Sequence, residues 1–254
     1  MEKTAIKAAK EAGRILLDNF GRIKKVEVKK RGDLVTNVDV EAEEKIIKII
    51  NGKYPEHFIL SEESKELKGN SDYRWIIDPL DGTHNYVRGI EIFGVSIALE
   101  HKGGIILGVI YMPCSDELYF AERGEGAYLN GERIKVSRRG LSQALLVYDS
   151  NIKLGKEHVV KGLDMLARKT FALRMFGSSV RTLSYIAEGK ADIFIDYHHG
   201  PWDFSAGALL VEEAGGKLSD IYGNPWSPWV RGYIASNGVV HEEVVKTLSI
   251  SFGK

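Results

Sequence analysis

The chain has 254 residues, long for one small domain and short for three, so one extended domain or two intimate halves is expected. Hydrophobic residues make up 44% and charged residues 28%, an ordinary globular balance that argues against disorder. The 35 basic residues equal the 35 acidic ones, so the whole-chain field holds no polyanion, and nucleic-acid binding is disfavoured as a main role. The single cysteine, Cys114, excludes an internal disulfide framework and a thiolate zinc cluster, and fits a reducing cytoplasm. A lone glutamine, Gln143, amid abundant Lys and Glu leans toward a thermophile.

In chain order, the first twenty residues carry seven charges. Ile6, Ala9, Gly13, Leu16, Leu17 and Phe20 recur at helical spacing, which predicts a helix stopped by Gly21 rather than an export signal. The stretch from Arg22 to Asn37 holds Lys24, Lys25, Lys29, Lys30 and Arg31 with no clean period, and reads as an exposed, mobile basic hairpin or loop. A second helix is predicted from Val38 to Ile50, with Ala42, Ile46, Ile49 and Ile50 inward. A short strand from His57 to Leu60 leads into the acidic turn Ser61-Glu62-Glu63-Ser64. Another strand, Tyr73 to Ile77, is expected to break at Asp78-Pro79.

Apolar runs Ile92 to Glu100 and Ile105 to Tyr111 flank Gly103-Gly104 as an antiparallel hairpin, and Asn130-Gly131 signals a further one. The longest charge-free run, Gly103 to Ser115, has thirteen residues, short of the ~18 a membrane span needs; no membrane partner is expected. Beyond it, helices (156–168, 178–188, 203–214, 239–248) alternate with strands (171–175, 192–196, 233–236). Antiparallel sheet first and β-α alternation second predict a layered α+β architecture. One domain over 1–254 is expected, with two halves at about 1–140 and 141–254.

The informative segment is Trp75-Ile76-Ile77-Asp78-Pro79-Leu80-Asp81-Gly82-Thr83. A buried apolar strand ends in an aspartate, and a second aspartate follows three residues on. A sharp exit there aims Asp78 and Asp81 at one point, and amides of a helical turn starting at Gly82 face the same point. Two carboxylates beside anion-binding amides conflict unless a cation sits among them. Taken singly, Asp78 reads as a turn residue and Asp81 as a helix cap. Asp203 opens a predicted helix whose Ser205, Ala206, Gly207 and Ala208 allow close packing. It also reads as an ordinary cap. Glu62-Glu63 doubles as a solvated acidic turn, and Thr36-x-x-Asp39 as a capping-box variant.

Together these segments resemble the inositol monophosphatase family, part of a larger group with fructose-1,6-bisphosphatases and related lithium-sensitive, magnesium-dependent phosphatases. The resemblance covers nearly the whole chain. Asp78-Pro79-Leu80-Asp81-Gly82-Thr83 is similar to its first signature, and Trp202-Asp203 through Gly215-Gly216 to its second. His84 departs from the more usual threonine, and Ser61 from a common glycine. The fold this implies is the layered α-β-α-β-α sandwich of the sugar phosphatases.

The resemblance implies Glu62, Asp78, the Leu80 carbonyl, Asp81 and Asp203 as metal ligands. An all-oxygen set suits Mg²⁺ or Mn²⁺ rather than zinc, and four carboxylates suit two or three ions. It further implies catalysis by Asp39, Thr83 and Glu62: Thr83, paired with Asp39, orients a metal-activated water for in-line attack on phosphorus. Gly82 and Thr83 amides would bind the phosphoryl oxygens, and the basic stretch would close over the site. Gly177, Ser178, Ser179 and Asp196 would meet the substrate hydroxyls. Arg174-Met175-Phe176-Gly177-Ser178 matches a pattern of archaeal relatives that hydrolyse both inositol-1-phosphate and fructose-1,6-bisphosphate, and Arg174 would grip a second phosphate or serve in a surface or subunit-interface ion pair. Tyr197, His198 and His199 are candidate pocket residues, though adjacent histidines more often face solvent; Arg181 reads as structural. The expected substrate is a small phosphate ester and the expected assembly a cytoplasmic homodimer. The rivals are a nucleotide 3′-phosphatase acting on adenosine bisphosphates and a regulatory relative that contacts the transcription machinery.

Overall fold

The computed structural model describes residues 1–23, 25–28, 34–64, 66–149, 152 and 157–252. Helix α1 spans Glu2–Asn19 and buries Ala5, Ala8, Ala9, Ala12 and Leu16 along one stripe, while Leu17 faces outward. Gly21 then takes a left-handed φ of 72°, as a helix stop requires. Strands β1 (Val26–Val28) and β2 (Leu34–Thr36) pair antiparallel. Lys24, Lys29, Lys30 and Arg31 of the basic stretch lie outside the described residues. Helix α2, Asn37–Asn51, starts from a capping box between Thr36 and Asp39.

A seven-stranded sheet follows in chain order: β3 (Phe58–Ser61), β4 (Tyr73–Asp81), β5 (Gly94–His101), β6 (Gly104–Met112), β7 (Glu117–Glu122), β8 (Gly126–Leu129) and β9 (Glu132–Arg133). β3 runs parallel to β4, and the other neighbours are antiparallel. The β5–β6 turn puts Lys102 and Gly103, and the β8–β9 turn Asn130 and Gly131, at positive φ, the conformation that tight hairpins demand. The short helix α3 (Thr83–Val87) leaves β4.

The second sheet has five strands in the order β11-β10-β12-β14-β13. Its elements are β10 (Leu145–Tyr148), α4 (Glu157–Ala167), β11 (Ala172–Arg174), α5 (Ser179–Ala187), β12 (Ile193–Asp196), α6 (Pro201–Glu213), β13 (Lys217–Asp220), β14 (Tyr233–Ser236) and α7 (His241–Ser251).

Strand alternation sorts the apolar side chains into three clusters. Trp75, Ile77, Ile97 and Val109 pack under α1 and α2. Ile76, Ala98 and Ile110 face the opposite way, onto α5 and α6, which also take Val147, Phe194 and Ala235 from the second sheet. Leu146, Ile193 and Ile234 turn outward onto α4 and α7. The layers are therefore α-β-α-β-α, an α+β sandwich. Helix α6 is the shared middle; everything from Phe204 to Val211 is buried.

Several boundaries differ from the sequence expectation by a few residues, and two of them bear on the site. β4 does not stop at Ile77 but runs through Asp78-Pro79-Leu80 to Asp81, with its pairing to β5 shifting register between Asp78 and Asp81. A bulge is where a strand tolerates proline, since no ladder N–H is needed there. Helix α6 begins at Pro201, not Asp203, with proline in its first turn where the missing N–H costs nothing.

Candidate metal centre

Glu62 leaves the end of β3, Asp78 sits at the β4 bulge and Asp203 in the first turn of α6. Their carboxylates offer oxygens all within 4.8 Å of one another. Asp78 is 1% exposed. Its Oδ1 accepts the Leu80 amide at 3.0 Å, and its buried Oδ2 has no hydrogen-bond partner among the described residues. Burial and then the charges of Glu62, Asp81 and Asp203 push Asp78 far above the usual carboxylate range. Asp203 is pushed up likewise, by burial and then by Glu62 and Asp81, although its Oδ2 accepts the Gly200 amide at 2.5 Å.

Asp81 turns a little aside from this group. Its carboxylate accepts from the Ser178 hydroxyl and, at 3.1 Å, from the Ser179 amide. Burial raises its pKa to about 7 against the lowering effect of those bonds. Ser178 also caps α5, its oxygen accepting the Arg181 amide at 3.2 Å. Asp78, Asp81 and Asp203 each accept a backbone amide, yet Glu62, Asp78 and Asp203 crowd one spot. An orphaned acceptor, mutual repulsion and an all-oxygen donor set fit a hard divalent cation. Glu62, Asp78 and Asp203 could hold it.

The neighbouring pair is Thr83 and Asp39. Asp39 is 1% exposed; its Oδ2 accepts from the Thr36 amide at 2.9 Å and hydroxyl at 2.5 Å. Its Oδ1 faces the Thr83 hydroxyl at 3.3 Å, which also reaches the Leu80 carbonyl at 3.0 Å. Gly82, between Asp81 and Thr83, has φ +86°, and a Cβ there would lie 2.7 Å from the Ile92 carbonyl. Only glycine fits that turn. Its carbonyl begins α3, whose first amides have no helical acceptor.

Asp196 ends β12 beside this edge. Ser179 donates to it at 3.2 Å and the His198 amide at 2.8 Å. Burial works to raise its pKa, but His199, the His198 amide and Ser179 together hold it below the usual value. Gly177 has φ +64°, and its carbonyl accepts from Asn85 at 3.3 Å. Arg174 is exposed on β11, donates to the Leu173 carbonyl at 2.8 Å, and makes no ion pair among the described residues. The adjacent histidines divide: His198 binds Asp149 at 2.9 Å, whereas the His199 ring is 1% exposed between Phe204 and Tyr233. Tyr197 stacks at a tilt on Tyr148 and shares a hydroxyl contact with it. Arg181 is buried on Glu117 at 2.7 Å, the structural role expected of it.

Three residues of this edge escape a motif reading. Asn85 Nδ2 bridges the Ile92 and Phe176 carbonyls. Tyr233 is fully buried and its pKa is driven up by burial and then by Asp196 and Asp203. Glu43 lies one turn beyond Asp39 on α2 and binds Ser61 and the Glu63 amide. Only Glu43 had a signal, a charge on the inward side of a predicted helix.

Known proteins share this arrangement of chain. A Thermotoga maritima protein named fructose-1,6-bisphosphatase/inositol-1-monophosphatase is 36% identical over 248 residues, covering 96% of this chain and 94% of its own. The Nus factor SuhB of Escherichia coli is 40% identical over 230 residues, covering 88% of this chain and 86% of its own. The solved extragenic suppressor protein suhB of Bartonella henselae superposes with a TM-score of 0.94 at 36% identity, covering 97% of each chain. The family model described as the inositol monophosphatase family matches residues 1–251, nearly end to end, so the chain belongs to the inositol monophosphatase family.

Proposed function

We propose that the protein is a magnesium-dependent phosphomonoesterase that hydrolyses inositol-1-phosphate, and also fructose-1,6-bisphosphate, to the free alcohol and phosphate. The observation that carries this reading is the cage of Glu62, Asp78 and Asp203 with a buried Asp78 oxygen that has no partner among the described residues. Metal ions held by these carboxylates, Asp81 and the Leu80 carbonyl would neutralise the phosphoryl group and acidify water.

The remaining work belongs to side chains and amides. Thr83 donates its hydroxyl hydrogen to Asp39 Oδ1 and turns a lone pair toward the attacking water. The water oxygen bonds to phosphorus as the ester P–O bond breaks. One water proton passes to Thr83 as its own passes to Asp39, and the departing alkoxide takes up a proton from solvent to leave as the free alcohol. Amides of Gly82 and Thr83 receive the phosphoryl oxygens. Asp196, with Ser178, Ser179 and Gly177 around it, reads the hydroxyls of the alcohol, and Arg174 meets a second phosphate. Glu62 belongs to the catalytic set through its place in the cage.

Phosphate release should be measured from inositol-1-phosphate, fructose-1,6-bisphosphate and adenosine 3′,5′-bisphosphate, with Mg²⁺, Mn²⁺ or chelator. The reading expects metal-dependent release from the first two. Turnover that survives chelation, or preference for the nucleotide, would overturn it. Near-normal turnover in Asp203→Asn would remove the cage from the mechanism. A second role is favoured by the 40% identity to relatives named Nus factor SuhB: a protein contact in transcription alongside catalysis, which a pull-down at low and high salt tests.

A further inference from the structure

We propose that Glu43 is the positioning residue of the metal cage: it holds the turn from which Glu62 projects. With Asp39 one helical turn earlier, it makes α2 the strut that keeps the metal carboxylates and the water-orienting pair in one frame. The inference rests on the phosphatase reading above.

Glu43 is 4% exposed on the helix face that also buries Val38, Ala42, Ile46 and Ile50. A carboxylate on an apolar face is costly unless its oxygens are satisfied. Here Oε2 accepts from the Ser61 hydroxyl and from the Glu63 amide at 3.0 Å. Those two residues bracket Glu62, whose own amide donates to the Ile77 carbonyl at 3.3 Å. Ile77 immediately precedes Asp78, and β3 and β4 meet there in the register Ser61↔Ile77. The backbone of Glu62 is therefore fixed on both sides by Glu43 and beneath by the strand that carries Asp78. One carboxylate oxygen that accepts from both neighbours of Glu62 ties this turn to α2, where an apolar residue would only fill the space.

The arrangement explains two sequence features together. Ser61 directly precedes Glu62, and its hydroxyl is spent on Glu43. Asp39 and Glu43 are four apart, the spacing that puts two side chains on one helical face. One helix thereby reaches both Thr83 and the Glu62 turn.

The test follows Mn²⁺ binding to the full chain by electron paramagnetic resonance, with Mg²⁺ activation and melting measured in parallel. Glu43→Ala is expected to weaken Mn²⁺ binding about ten-fold, as loss of a partner behind a ligand does. The Mg²⁺ activation midpoint should move equally, with KM for inositol-1-phosphate at saturating Mg²⁺ changed less than about two-fold. Glu43→Gln keeps an acceptor in reach and should restore binding to within about three-fold. A lowered Tm with wild-type Mn²⁺ affinity in Glu43→Ala marks a merely structural residue and overturns the proposal. Should Glu43→Ala fail to fold, Glu43→Asp decides: retracting the acceptor by one methylene must weaken Mn²⁺ binding, and unchanged binding overturns the proposal. Wild-type protein that binds no Mn²⁺ sinks the phosphatase reading itself, whereas equal binding by wild type and variant sinks this inference alone.

Discussion

Asp78 concentrates the electrostatic tension of the molecule. One oxygen is held by the Leu80 amide, the other is buried without a partner among the described residues, and the charges of Glu62, Asp81 and Asp203 beside it are negative. An asparagine keeps the Oδ1 acceptor and removes the repelled charge. Asp78→Asn should therefore raise the Tm of chelator-treated protein by about 2–5 °C while lowering metal-dependent turnover by about 10³-fold; calorimetry and phosphate release check the two signs separately. His241 shows the opposite case, a buried group kept neutral. Its ring nitrogens contact Ser236 and Ser219 at 2.9 Å, and burial with the Lys217 charge lowers its pKa from 6.5 to about 4. Folding therefore resists protonation. The contribution is complete above about 6.5 and is lost as pH falls through about 4. Urea midpoints should decline across that window, and His241→Asn should flatten the decline.

Helix α6 is the element on which the architecture turns, because both sheets pack against it and its first turn carries Asp203. Close approach is obtained with small residues on either side. A Cβ on Gly108 of β6 would lie 2.7 Å from the Ala206 carbonyl, and one on Gly207 would lie 2.5 Å from the Leu183 side chain. Backbone cannot swing away as a side-chain tip can. Gly108→Ala should then cost about 1–3 kcal/mol by overpacking, which lowers Tm by roughly 3–10 °C for a chain of this size. Because α6 must shift to relieve the clash, metal-dependent turnover should fall with it; unchanged melting would mean that the helix is seated more loosely than its contacts indicate.

At the scale of the whole molecule, the candidate centre is also a clasp. Asp78 comes from the seven-stranded sheet, Glu62 from the turn that leaves β3, and Asp203 from the helix between the sheets. Asp81 reaches Ser178 and Ser179 at the start of α5, Asn85 reaches Phe176 and Gly177, and Ser96 reaches the Trp202 carbonyl at 3.1 Å. A ligand that binds only the folded state stabilises it by about 2.7 kcal/mol at a hundred times its Kd. Magnesium at that level should raise Tm by roughly 5–10 °C over chelated protein. Differential scanning calorimetry would expose a Tm indifferent to divalent ions, which would deny the clasp.

Much of this was legible in the order of residues. Periodicity and turn chemistry foretold α1, α2, the hairpin at Gly103-Gly104 and the one at Asn130-Gly131, because helical stripes and left-handed turns are decided within a few residues. The family followed from two long motifs, at Asp78–Thr83 and Trp202–Gly216, whose spacing is itself sequence. The strand through Asp78-Pro79 was misjudged, since a proline ends a strand unless a bulge excuses its missing N–H, and the bulge depends on the pairing with β5. What only the tertiary structure decided was convergence. Glu62, Asp78 and Asp203 are separated by up to 141 residues and meet within 4.8 Å because five layers close on one another. The partners of Glu43, the orphaned Asp78 oxygen and the outward station of Arg174 likewise depend on long-range packing, which no local pattern encodes.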